Sequence, residues 1–258
     1  MSDIITMKGQ AEFDKMLVAG RTVAHAHEAV RDAAVPGITM KALDVIAETV
    51  IRDHGCRPSF LGYHGYPGSI CASPNSMIVH GIPGDYRIKA GDILSIDVGA
   101  IYEGWHGDAA FTVAIGEVSA EVAQLIEVTE QGLWNGIAKA VAGNRLGDVG
   151  HAVERTAKPH GYGVVQGYMG HGIGQAMHEA PGVPNHGKRG RGLKLRTGMA
   201  IAIEPMFNLG SAETAVLDDN WSVVTADGSL SAHFEHTVLL TEQGSIVSTL
   251  LEPRLVDA

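Results

Sequence analysis

Hydrophobic positions along the chain follow two different periods, and the change from one to the other marks out its elements. Over residues 10–34, Phe13, Met16, Leu17, Val23 and Val30 fall near helical spacing, with Gly20 as an interruption. Pro36-Gly37 ends that pattern. Thr39 can then cap a second helix over 40–53, with Leu43, Ile46, Val50 and Ile51 turned inward. Residues 60–83 are rich in Gly, Pro and Tyr and read as a loop. Across 93–112 the period drops to that of strands. Two β-prone runs flank Tyr102-Glu103-Gly104, which predicts an antiparallel hairpin. Helical patterns return over 119–141 and 147–158, a second loop-like stretch covers 162–198, and short strands are expected near 199–205, 214–217, 221–225 and 234–240.

Each hairpin arm carries one aspartate inside its apolar run, Asp97 and Asp108. Antiparallel pairing brings the two within a residue or so of register, with a bulge at Gly99, Gly104 or Gly107 to absorb the slack. Neighbouring ionised carboxylates repel, and burying them is costly without a compensating cation. A metal ion is the compact solution. The plainer alternative is an Asp bonded to a loop or a helix cap.

The order of motifs repeats. Val35-Pro36-Gly37, Glu48 and His54-Gly55 match Val141-Ala142-Gly143, Glu154 and His160-Gly161. His80-Gly81-Ile82-Pro83 matches His178-Glu179-Ala180-Pro181, and the run from Gly91 to Asp97 matches the run from Gly198 to Glu204. The chain therefore reads as one domain of two duplicated halves, about 10–115 and 119–250. Facing halves place Asp97 opposite Glu204, and His80 opposite His178. Glu235 lies in an apolar strand and shares the burial problem of Asp97. His171, between Gly170 and Gly172, has small neighbours suited to close approach.

Composition narrows the function classes. At 258 residues and 45% hydrophobic, the chain can bury a sizeable core. A net charge of −10 argues against a broad basic surface for nucleic acid. Cys56 and Cys71 make neither a disulfide framework nor a Cys-x-x-Cys zinc pattern. The N-terminal stretch lacks a signal-peptide layout and no apolar run is long enough to span a bilayer, so a cytoplasmic setting is expected; a monomer is expected as well. His25 and His27 are expected on the surface of the first helix. His27-Glu28 lacks the second histidine of a His-Glu-x-x-His motif, and the glycines at 170, 172 and 174 lack the strand–turn–helix setting of a dinucleotide site. No Gly-x-Ser-x-Gly occurs, and Cys71 has no activating base in sequence. Lys188, Arg189, Arg191, Lys194 and Arg196 form a basic cluster. It reads as a solvated loop, with docking on ribosomal RNA as the functional alternative.

The motifs taken together resemble a family. Asp97, His106-Gly107-Asp108, Gly170-His171-Gly172-Ile173-Gly174, His178-Glu179-Ala180-Pro181, Ile203-Glu204-Pro205 and Glu235-His236-Thr237-Val238 resemble the type I methionine aminopeptidases of bacterial form. Leu61-Gly62-Tyr63-His64-Gly65-Tyr66-Pro67 and His80-Gly81-Ile82-Pro83 agree. The resemblance runs from about residue 10 to 250. It implies an α+β pita-bread (creatinase/aminopeptidase) fold, with two pseudo-symmetric halves around a curved antiparallel sheet and helices outside. It also implies removal of the N-terminal methionine from peptides and nascent chains, with a small second residue preferred. Met1-Ser2 fits that rule, which makes the chain its own expected substrate.

The same resemblance implies Asp97, Asp108, His171, Glu204 and Glu235 as metal ligands, with Asp108 and Glu235 bridging. Four carboxylates balance two divalent cations. Oxygen-rich ligands with one imidazole suit Mn, Fe or Co and tolerate Zn. A pair of metals about 3.5–4 Å apart can acidify a bridging water and polarise the scissile carbonyl. Glu204 is placed to take the water's proton, His178 to donate to the developing oxyanion, and His80 to donate to the scissile amide or leaving amine. The methionine pocket maps to Phe60, Tyr63, Tyr66, Cys71, Met177 and Trp221. Phe60 stands where the family frequently has cysteine, and Met177 where it frequently has phenylalanine. Asn75 and Ser231 resemble positions of a monovalent-cation site. Two rivals share the fold: a proline-specific aminopeptidase or creatinase-like enzyme, and a non-enzymatic binding module that has lost its ligands.

Overall fold

The helices have ends that the local sequence explains. In the computed structural model, which describes residues 4–256, α1 (Gln10–Ala33) begins where the Glu12 carboxylate accepts the Gly9 N–H at 2.8 Å. The first residues of the N-terminal stretch, including the Met1-Ser2 pair, lie outside the described residues. Thr39 caps α2 (Met40–Asp53) by accepting the Ala42 N–H at 3.1 Å. Ser119 does the same for α3 (Ala120–Ile137), and Asp148 accepts the Arg145 N–H at 2.9 Å to open α4 (Leu146–Ala157). α3 stops short of the expected 141, because the chain turns away there and Gly143 donates to the Leu195 carbonyl. Among the described residues, no helix is long and apolar enough to cross a membrane.

α1 crosses the back of the hairpin. A Cβ on Gly20 would strike the backbone of Ser248, and one on Gly107 would strike the backbone of Gly20. The glycine that interrupts the apolar pattern of α1 is therefore the point where the helix touches the sheet.

The hairpin itself is longer than expected. Ile93–Tyr102 and Trp105–Ala114 pair residue for residue, and Glu103 and Gly104 turn the chain at φ of 47° and 84°. Two successive positive φ values are the type I′ geometry of two-residue hairpins. The expected bulge is absent. Asp97 pairs with Ala110, and Asp108 with Gly99. An offset of two residues keeps both side chains on one face as diagonal neighbours, so no slack needs absorbing.

The main sheet is antiparallel and joins strands from both ends of the chain. Trp105–Ala114 pairs with Glu235–Thr241, which pairs with Ala200–Ile203, which pairs with Gly170–Gly172. Ile70–Pro74 covers Ile93–Tyr102 on the first side, while Glu179–Val183 covers Gly170–Gly172 on the second. Helices α1 to α4 pack outside, and one large core joins α1, α2, α3 and α4 to the sheet. Two small three-stranded sheets fill the excursion between Ile203 and Glu235: Ser231–His233 with Met206–Asn208 and Gly163–Val164, and Thr214–Val216 with Val223–Thr225 and Met77–Val79. Both stretches read as loop, 60–83 and 162–198, thus contain short strands. They carry Gly and Pro where strands usually carry β-branched residues, and pairing with long neighbours overrides that local preference.

Candidate active site

The sheet register builds the site. Ala110 pairs with Asp97 on one side and Glu235 on the other, so the two acids flank one small residue on a single face. Glu204 follows the last registered pair, Ile203 with His236, and so comes next to Glu235. Asp108 is two residues from Ala110 and shares that face. The ladder beside it is not backbone alone. Thr237 Oγ1 accepts the Asp108 N–H at 3.0 Å and donates to the Asp108 carbonyl at 2.8 Å, which fixes the strand under the carboxylate. His171 enters from the next strand. Cβ atoms on Gly170 and Gly172 would strike the carbonyls of Ala202 and Ala180, so only glycines let this strand press in.

These polar groups lack ordinary partners. Seven buried side-chain N or O atoms among the described residues have no hydrogen bond, and four belong to this cluster: Asp97 Oδ1, Asp108 Oδ1, Glu235 Oε1 and His233 Nε2. His171 Nε2 stands 4.0 Å from Asp108 Oδ2, 3.9 Å from Glu204 Oε1 and 4.0 Å from Glu235 Oε1. Those separations are too long for hydrogen bonds and match donor atoms that share a cation. His171 Nδ1 donates to the Gly172 carbonyl at 2.9 Å, which leaves the Nε2 lone pair directed at the carboxylates. Burial, and then the neighbouring His178, hold His171 neutral with a pKa of about 3. It therefore offers no positive charge to the acids.

The acids respond by holding protons. Burial pushes Asp97 up to about 7, opposed by its hydrogen bond with Asp108, and pushes Glu204 up to about 8, reinforced by the charge of Asp97. Asp108 and Glu235 are raised further, first by burial and then by their acidic neighbours. Protons or metal ions must supply the missing charge, since uncompensated buried ions cost about several kcal/mol each. Among the described residues, two groups could hold an ion: Asp108, His171 and Glu235, and Glu204, His233 and Glu235.

The acids form one wall of a cavity of about 140 Å³, with His80, His171 and His178 beside them and a largely apolar lobe opposite. Every candidate picked out by motif or resemblance for the metal, the proton transfers or the side-chain pocket lines it. Phe60, Tyr66, Cys71 and Met177 pack together, with Tyr63, Ile82 and Trp221 against them. Tyr66 meets Trp221 edge-on at 5.0 Å, and its hydroxyl is shared between the Ile70 and Gly81 carbonyls. His178 lies 4.2 Å from the His171 ring, and its Nδ1 is hydrogen-bonded to the Tyr63 hydroxyl at 2.8 Å. His80 sits at φ 62°, a left-handed conformation uncommon outside glycine, with its ring edge toward Tyr168 and Trp221. Burial lowers both histidines, His80 to about 4, so both are neutral imidazoles.

Two neighbours of the acids carry no signal in the motifs. His233 is buried, with Nε2 at 3.8 Å from Glu204 Oε2 and 4.0 Å from Glu235 Oε2. Its spacing of two residues from Glu235 on an extended chain was the available clue. Asn185 donates to the Glu204 carbonyl at 2.9 Å from a loop remote in sequence. Asn75 and Ser231 are brought together by a Ser231 N–H to Asn75 carbonyl bond of 3.0 Å. The basic residues at 188, 189, 191, 194 and 196 are all exposed. His27 differs from expectation. It is buried, with Nε2 bonded to the Ala109 carbonyl at 3.0 Å behind the hairpin, because α1 presents that face to the sheet.

Comparisons with known proteins agree on one relationship. Metallopeptidase family M24 matches residues 14–242. The chain is 50% identical over 254 residues to methionine aminopeptidase 1 of Mycobacterium tuberculosis, with 96% of each chain covered. A solved methionine aminopeptidase from Thermotoga maritima superposes with a TM-score of 0.94 at 42% identity, covering 96% of this chain and all of that one. A prolidase from Pyrococcus furiosus shares the fold at a TM-score of 0.78 and 22% identity, but only 67% of its chain is covered.

Proposed function

The chain belongs to the methionine aminopeptidases of metallopeptidase family M24, and from that membership we propose how its cavity removes an N-terminal methionine. It is a metal-dependent hydrolase that cuts the first peptide bond of Met-initiated peptides and proteins, with a small second residue preferred. The observation that carries the mechanism is the set of buried, unpartnered carboxylate oxygens at one wall of the cavity, facing an apolar lobe.

In this reading Asp97, Asp108, His171, Glu204 and Glu235 would hold two divalent cations, Co, Mn, Fe or Zn, with Asp108 and Glu235 the residues that would serve both. The donor set fits, since it is oxygen-rich, has a metal-ready imidazole and meets no Lys or Arg in the cavity lining. When bound, the cations supply Lewis-acid polarisation and an acidified water.

The chain's own groups do the rest. The apolar lobe takes the methionine side chain: Cys71 and Met177 offer polarisable sulfur, while Phe60, Tyr66 and Trp221 offer ring surfaces. Asp97 lies at the end where the free amine is placed, which restricts cleavage to the first bond. Glu204, freed of its own proton once metal is bound, takes the proton of the attacking water. Burial, and then the charge of Asp108, keep the Tyr63 phenol protonated. Its O–H donates to His178 Nδ1, so His178 Nε2 retains its proton and donates to the developing oxyanion. His80, fixed by its strained backbone, donates to the scissile amide or the departing amine.

The reading extends to setting. Residues 10–115 and 119–250 act as halves of one catalytic domain that works as a cytoplasmic monomer. Backbone oxygens near Asn75 and Ser231 hold a monovalent cation. The exposed basic loop makes a transient contact with the ribosome, where nascent chains emerge.

The test is peptide cleavage by metal-stripped protein with divalent metal added back. Free methionine is expected from Met-Ala-Ser, and neither acetyl-Met-Ala-Ser nor Ala-Pro is expected to be cleaved. Cleavage of Ala-Pro in preference to Met-Ala-Ser would favour a proline-specific enzyme. Metal binding without cleavage of any peptide would favour a binding module.

A further inference from the structure

Glu204 and Glu235 each present their two oxygens to two different imidazoles. Glu204 Oε1 faces His171 and Oε2 faces His233, at 3.9 and 3.8 Å. Glu235 does the same, with Oε1 and Oε2 each 4.0 Å from His171 and His233. His233 is thus the counterpart of His171 across the same pair of carboxylates. The family resemblance provides for one imidazole ligand, and His233 is not part of its motif set.

The His233 ring is held as a ligand would be held. It is 2% exposed, and Nε2 has no hydrogen-bond partner although it is aimed at two carboxylates. The backbone beneath it is clamped twice by Thr112, whose hydroxyl accepts the His233 N–H at 2.9 Å and donates to the His233 carbonyl at 2.8 Å. Pairing of Met206 with His233 secures the other side. A buried core histidine ordinarily satisfies its ring nitrogens. Two donors that each stand about 2 Å from a shared cation can be up to about 4 Å apart. The separations around His233 fall within that span and beyond hydrogen-bond range.

We propose that His233 is a metal ligand, and that its Nε2 with Glu204 Oε2 and Glu235 Oε2 forms a second nitrogen-bearing cation position beside the one His171 addresses. The proposal rests on the metal-dependent reading of the cavity. Four carboxylates balance two divalent ions, so this position is an alternative station for the second ion, not a third site. A second imidazole also changes selectivity. Nitrogen donors favour Co, Fe and Zn over Mn, whereas an all-oxygen second position suits Mn.

The experiment loads metal-free, full-length protein with Co(II) and counts imidazole ligands per cobalt by X-ray absorption, alongside bound cobalt by elemental analysis. Wild type is compared with His233→Gln, His233→Ala, His171→Ala and the double variant His171→Ala/His233→Ala, each checked for folding by circular dichroism. His171→Ala is expected to keep imidazole ligation through His233, and the double variant to lose it. His233→Gln is expected to lose about half of the wild-type imidazole signal. It should also weaken Co(II) relative to Mn(II) by roughly 10–100-fold, the span typical of disturbed metal-site support. Should His171→Ala fail to fold, the comparison of His233→Gln with wild type decides alone. Imidazole ligation that vanishes in His171→Ala, or that is unchanged in both His233 variants, overturns the proposal and leaves the metal-dependent mechanism standing. Wild type that takes up no cobalt overturns both.

Discussion

The two ends of the cavity solve opposite problems. At the acidic end, Asp97, Asp108, Glu204 and Glu235 crowd onto one sheet face, and oxygens on three of them find no partner. At the apolar end nothing is left over. Phe60, Cys71 and Met177 are closely packed, and the Tyr66 hydroxyl rests on two carbonyls. An unsatisfied region specifies a ligand by charge and donor type, whereas a satisfied region specifies one by shape. Substitutions at the acidic end should therefore destroy function outright, and substitutions at the apolar end should only re-rank substrates.

The largest expected effect follows from removing one shared acid. Asp108→Asn or Glu235→Gln should abolish turnover and metal uptake together, because each is proposed to lie between both ions. Near-normal turnover with two bound metals in either variant would break the contrast at its strong end.

Between the two ends stands His178, which touches the acids through His171 and the pocket through Tyr63. His178→Ala should lower kcat by roughly 10²–10³, the usual cost of losing an oxyanion donor, with metal content unchanged. Loss of metal from that variant would make His178 a ligand and move it to the acidic end.

The protons held by the acidic end give it a pH signature that the apolar end lacks. In the metal-free chain, burial raises Asp97 to about 7 and Glu204 to about 8. A carboxyl whose folded pKa is raised stabilises the fold below its unfolded pKa and loses that contribution as pH rises through the folded value. The metal-free protein should therefore lose stability from these groups between about pH 4 and pH 8. Metal binding must displace the same protons, so affinity should rise over pH 6–8 by up to about tenfold per unit for each proton released. His27 and His236, whose pKa values burial lowers to about 3 and about 4, act in the opposite sense. Neither lines the acidic cavity, so their contributions are expected to cancel in the difference. The rise in Tm on adding Mn(II), measured at pH 5.5, 7.0 and 8.5, should grow with pH. A constant rise would mean that the acids are already ionised without metal.

The smallest effect belongs to the apolar end. Phe60 packs with Tyr66, Cys71 and Met177, and it is proposed to wall the side-chain pocket, where a branched γ-carbon would meet its ring. Discrimination of Met over Leu should be about 10–200-fold in kcat/KM, and Phe60→Cys should relax it. Equal ratios for Met-Ala-Ser and Leu-Ala-Ser cleavage in both proteins would show that Phe60 does not shape the pocket.

Legibility in the sequence divided along physical lines. α1 and α2 were readable to within a residue because Thr39 and Pro36-Gly37 act locally. The acids stood out because a charged residue inside an apolar strand contradicts its surroundings. Gly170–Gly172 was not readable as a strand, since nothing in its composition favours extension; its neighbours Ala200–Ile203 and Glu179–Val183 hold it there. The relation of Asp97 to Asp108 was legible only approximately, because one register shift decides whether two side chains share a face. Asn185 escaped because its contact to Glu204 comes from a loop that residue order does not encode, and His233 because its two-residue spacing from Glu235 hints at a shared face but not at its contact with Glu204.

The central claim is that the unpartnered acids exist to hold divalent metal for cleavage of the first peptide bond. The most direct measurement titrates the metal-free protein with Mn(II) and follows bound metal and methionine released from Met-Ala-Ser in the same samples. The account predicts no release without metal, and a rate that climbs with bound metal and saturates by two equivalents. Full turnover in the metal-free protein, or metal bound to saturation with no methionine released, would contradict it.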